Sequence, residues 1–136
     1  MKETAFYLGL GALLTHELDA MSNHEWRLLP GLGGLPDDTA MTVFVALHVP
    51  LFALLIGLVA STRPGVRRVS RLVVAGFLVV HAGLHLWFTG RPEYEFSSLL
   101  SETLIFGGAL CGALYLVLAT RDRPETISGH ARGRRT

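Results

Sequence analysis

LVVAGFLVVHAGLHLWFTG, Leu72 to Gly90, is the stretch that decides the fold. It carries no Asp, Glu, Lys or Arg. As a helix rising about 1.5 Å per residue it is long enough to cross the roughly 30 Å hydrocarbon core of a bilayer. Ala40 to Thr62 and Phe96 to Thr120 pass the same length test. Half of the 136 residues are apolar, more than a soluble core of this size needs, so the surplus has to face lipid.

The start of the chain is less simple. Ala5 to Thr15 is uncharged but too short to span, and it runs into His16-Glu17-Leu18-Asp19-Ala20-Met21-Ser22-Asn23. It spans only if that polar stretch is included. A carboxylate facing lipid near the bilayer centre would cost roughly 2.5–3.5 kcal/mol, so Glu17 and Asp19 must face protein, water or each other. No small-residue cleavage pattern follows the run, which reads as a retained helix and not a signal peptide. The expected fold is therefore an all-α integral membrane four-helix bundle. Its helices fall at about 4–23, 40–62, 70–90 and 96–120, and 121–136 form a basic, disordered cytoplasmic tail. Pro30 to Asp38 reads as the loop between the first two helices, Arg63-Pro64-Gly65 as the end of the second, and Arg91-Pro92 as the end of the third.

Orientation follows from the basic residues. Lys2, Arg63, Arg67, Arg68, Arg71, Arg121, Arg123, Arg132, Arg134 and Arg135 fall on one side of a four-span arrangement, and Arg27 and Arg91 on the other. Both termini are thus expected in the cytoplasm, with the protein in the cell's inner membrane. Dispersed over loops, these charges form no nucleic-acid face. Cys111 is the single cysteine, which excludes an intrachain disulfide and any CxxC site.

Antiparallel helices count through the membrane in alternating directions, so depth is informative. From the outer ends, His16, His48 and His81 each lie roughly 10 Å down and Glu102 about 7 Å down, with His85 one turn shallower than His81. Each helix contributes an ionisable group to one outer layer. His81 and His85, four residues apart, project from one helical face, a spacing at which two imidazoles can share a metal ion. On helix 1, Gly9, Ala12, His16, Asp19 and Asn23 trace one bundle-facing stripe, with Glu17 at its edge. Gly108 and Gly112 allow close packing of helix 4. Pro50, two residues after His48, frees a backbone carbonyl and can bend helix 2 there. His24, Glu25, Trp26 and Tyr94 would flank the mouth of the cluster as an interfacial rim.

These residues carry a resemblance. The His16-Glu17-Leu18-Asp19-Ala20 run, Glu25-Trp26-Arg27, Leu47-His48-Val49-Pro50 and His81-Ala82-Gly83-Leu84-His85 resemble the pattern of a group of uncharacterised small bacterial four-span membrane proteins. More loosely, the chain is similar to HXXEE-type membrane families, although it has no His-x-x-Glu-Glu string. The resemblance implies fold and membrane location and brings no activity.

The leading expectation is a membrane-embedded metal-dependent enzyme acting on a lipid or other apolar substrate. His16, His48, His81, His85, Glu102 and Asp19 would be ligands to zinc, or to iron or manganese, with Glu17 as general base. The alternatives are a b-type haem electron-transfer protein with His48 and His81 or His85 as axial ligands, a proton or metal transporter, and a purely structural network of histidines and carboxylates.

Overall fold

The computed structural model describes residues 1–121; all but Arg121 of the expected tail, including His130, lies outside them. The described chain is all-α: α1 (Lys2–Ser22), a one-turn 3-10 helix (Glu25–Arg27), α2 (Asp37–Val59), α3 (Pro64–Phe88) and α4 (Leu99–Arg121). Three of these, α2, α3 and α4, are long and apolar enough to cross a membrane. α1 is of comparable length but carries Lys2, Glu3, Glu17 and Asp19.

The turn between α2 and α3 is placed differently from the sequence expectation. α2 stops at Val59, and Pro64 opens α3 in its first turn instead of closing α2. Proline has no N–H to donate and its φ suits a helix start, so the first turn accepts it where the interior of a helix would not.

α1, α3 and α4 form the tight core. A Cβ on Gly112 would lie 2.6 Å from the Ala75 carbonyl oxygen, and one on Gly9 would lie 3.2 Å from the Cys111 Cβ. Only glycine permits α4 to approach α3 and α1 so closely. Against this trio α2 is peripheral, burying only Ala40, Phe44 and Val59. Leu47, Val49, Leu54 and Ile56 of α2 stay exposed, an outward apolar surface suited to lipid.

Apolar clusters close the two ends of the bundle. One joins Phe6, Leu10, Val59, Val74 and Tyr115 near the start of α1. The other joins Ala20, Trp26, Phe44, Phe96 and Ile105 at the opposite end. Between the second cluster and the bundle centre lie the histidines.

Candidate functional site

His16 sits near the end of α1 and is 1% exposed. Among the described residues neither of its ring nitrogens has a hydrogen-bond partner. Its ring meets those of His81 and His85 edge-on, with centroids 4.9 and 5.0 Å away, and Phe96 packs against it. On α3 the Nε2 atoms of His81 and His85 stand 3.1 Å apart, so one of the two donates to the other. The far nitrogen of His85 faces the Tyr94 hydroxyl at 3.4 Å.

The fourth member comes from the connection after α1. His24 takes a left-handed conformation at φ 49°, uncommon for a residue with a side chain, and this turns the chain back on itself. Glu25 then points inward, its Oε2 3.8 Å from His16 Nε2. Ligand atoms of His16, Glu25, His81 and His85 all lie within 4.8 Å of one another. Oε2 of Glu25 and Oδ2 of Asp19 are buried without hydrogen-bond partners, like His16. Burial, with the Glu17 and Asp19 charges behind it, pushes the Glu25 carboxyl up to about 8.

The reversed turn is held from outside. The Trp26 indole donates to Asp37 at 3.0 Å, and Arg27 forks onto both oxygens of Asp37 at 2.9 and 3.0 Å. Arg27 also reaches Glu95 at 3.3 Å, and His24 meets the same carboxylate at 2.9 Å. A planar guanidinium and a carboxylate match in just this paired geometry, so the start of α2 and the α3–α4 connection are tied to the turn that carries Glu25. Its hydrogen bond to Asp37 raises the Arg27 pKa further. Burial, with Glu102 and Glu25, raises the Tyr94 pKa, keeping its hydroxyl a donor.

A cleft of about 340 Å³ opens between α2 and α3 onto this group. Its walls are Leu47, Leu51, Phe77 and Leu84, and Glu25, His81 and His85 line one part of it. Glu17 and His48 line another, joined by a 2.8 Å contact between Oε2 and Nε2. The other nitrogen of His48 lies 2.7 Å from the Phe44 carbonyl, which can only accept. Nδ1 is therefore placed to donate to that carbonyl while Nε2 meets the Glu17 carboxyl.

The structure thus brings together His16, His81 and His85 from the expected ligands and adds Glu25, which the sequence placed at the rim. Asp19 is adjacent, outside the four. Glu17 and His48 form their own pair across the cleft. Glu102 is not brought in: Ser101 and Ile105 turn to the interior, and Glu102 projects from the exposed side of α4. Of the remaining rim residues, Trp26 is fully buried, while His24 and Tyr94 are half-buried and bonded. The Arg27–Asp37–Glu95 latch was missed; its one trace in the sequence is a lone arginine and acids in loops on the same side.

Residues 2–122 match DUF6713, a family of unknown function. The chain belongs to that family. DUF6713 therefore covers all four helices and every residue of the histidine group. No curated protein and no solved structure matches the chain.

Proposed function

We propose that this protein is a four-span membrane protein with both termini in the cytoplasm, and that it binds a divalent metal through His16, His81, His85 and Glu25. We further propose that it is a metal-dependent enzyme acting on a lipid or other apolar molecule. The observation that carries the reading is the convergence of three imidazoles and a carboxylate, with buried nitrogens and oxygens left unpartnered, beside a cleft that is mostly apolar and that Glu25, His81 and His85 reach. Unpartnered polar atoms at such depth are costly, and a cation is the complement that would satisfy one ring nitrogen of His16 together with the Glu25 oxygen. Nitrogen and oxygen donors in this mixture suit zinc, iron or manganese.

Bound there, the ion would act as a Lewis acid toward an oxygen-bearing group of the substrate. The protein's own contribution is separable. Leu47, Leu51, Phe77 and Leu84 would hold an apolar chain and exclude water, and the Glu17–His48 pair would take or return a proton at the reacting group. The position of the peripheral α2 supports access from the side, between α2 and α3.

The test is the lipid composition of host membranes carrying wild-type protein or Glu17→Gln, compared by mass spectrometry. The reading expects a lipid species that changes with wild type and not with the variant. Identical lipid profiles for wild type, Glu17→Gln and empty membranes would sink it. The haem alternative requires a Soret band from the purified protein.

A further inference from the structure

The end of the bundle opposite the histidines holds a second cavity, of about 250 Å³, where α1 and α3 begin and α4 ends. Lys2, Arg67, Arg68 and Arg71 line it together with Glu3 and Tyr115. Arg67, Arg68 and Arg71 bring three guanidinium groups to one small space, and among the described residues that line it Glu3 is the one carboxylate.

Arg71 is buried at its base and already held. Its Nε donates to the Val59 carbonyl at 3.1 Å, Nη2 donates to the Tyr7 hydroxyl at 2.9 Å, and Nη1 pairs with Glu3. Its guanidinium also stands over the Phe6 and Tyr7 rings. Glu3, the carboxylate among the described lining residues, is thereby engaged by Arg71. Arg67 donates to the Ser61 carbonyl, a neutral partner, and Arg68 makes no ion pair among the described residues. The two helices that start here add charge of the same sign: among the described residues no side chain caps α1 or α3, and the positive dipole ends of both lie at this region.

We propose that this cavity binds a phosphate group, carried by an anionic phospholipid headgroup or free in solution. Guanidinium groups and helix N-termini are complementary to phosphate oxygens, and basic pockets between helices at the cytoplasmic face hold anionic lipid headgroups elsewhere. This site lies at the far end of the bundle from the histidines, and its existence does not depend on the metal reading.

The test uses the full chain purified in mild detergent. Wild type, Arg68→Gln, Arg67→Gln/Arg68→Gln and, as a control outside the cavity, Arg63→Gln are compared. Thermal unfolding is followed with inorganic phosphate, and retained phosphatidylglycerol and phosphatidylcholine are counted by native mass spectrometry. Wild type should respond saturably to at least one phosphate source. The double variant should lose roughly tenfold or more in affinity, Arg68→Gln part of that, and Arg63→Gln none. Preference for phosphatidylglycerol over phosphatidylcholine, without response to inorganic phosphate, assigns the lipid; response to inorganic phosphate alone assigns the free anion. Binding of neither, undiminished binding in the double variant, or equal loss in Arg63→Gln overturns the site. Arg68→Gln removes no ion pair, so it reports on the site even if the double variant fails to fold.

Discussion

His16 shows what a single residue contributes. It is enclosed by Phe96, His81 and His85, and neither nitrogen is satisfied, which a residue placed only for packing would not require. Glu25 makes the same point with a measurable consequence. Its carboxyl, ordinarily near 4.5, is pushed to about 8, chiefly by burial, so the folded protein holds that proton more tightly than the unfolded chain. The stabilisation is complete below about 4.5 and is lost as pH rises through about 8. Measured on metal-free protein, the thermal stability of wild type relative to Glu25→Gln should therefore fall as pH rises across that window; a difference that does not change with pH would contradict the assignment. Because a metal must displace that proton, apparent metal affinity should rise toward pH 8. Glu25→Gln should lower bound metal while Glu102→Gln, on the exposed side of α4, should not, as elemental analysis of both would show. The histidines were legible in the sequence because helical geometry fixes their depth. Glu25 was not, because its direction depends on a left-handed His24, which has no periodic signal.

Helices were legible to different degrees. Long apolar runs gave α2, α3 and α4, and the glycines of α4 gave its close packing. A Cβ at Gly112 would strike the backbone of Ala75, an atom that cannot rotate away, so Gly112→Ala should cost about 1–3 kcal/mol by forcing α3 and α4 apart. Gly107→Ala, which would meet nothing within 4 Å, should leave thermal stability unchanged or raise it by up to about 1 kcal/mol, and a loss equal to that of Gly112→Ala would contradict the close approach. The ends of helices were less legible, since proline stops one helix and starts another equally well, as Pro64 shows. The peripheral place of α2 left no mark either. An element apolar all round has no preferred face, and its position is set by the Asp37 latch at one end and by the Arg71 bond to Val59 at the other.

At the scale of the molecule, charge and apolar surface divide the chain. Basic residues gather around the second cavity and the α2–α3 turn, and the histidine end carries Arg27 and Arg91. Both termini are accordingly proposed to lie inside. In a Cys111→Ser background, Gly90→Cys should react with an impermeant maleimide in intact cells, and Thr62→Cys only after permeabilisation; the reverse pattern would invert the orientation. One side of the membrane would then hold the metal group and the other the anion cavity.

The most direct measurement is the elemental metal content of wild-type protein purified without added metal or chelator, beside His85→Ala prepared in parallel. A metal site built on His85 requires near-stoichiometric zinc, iron or manganese in wild type, and affinity lower by roughly a hundredfold or more in His85→Ala, beyond the roughly 10–100-fold cost of losing a group that only orients a ligand, with the helical content of the two equal. A wild-type protein that stays empty after metal is offered, or a His85→Ala protein that keeps its full complement, would contradict it.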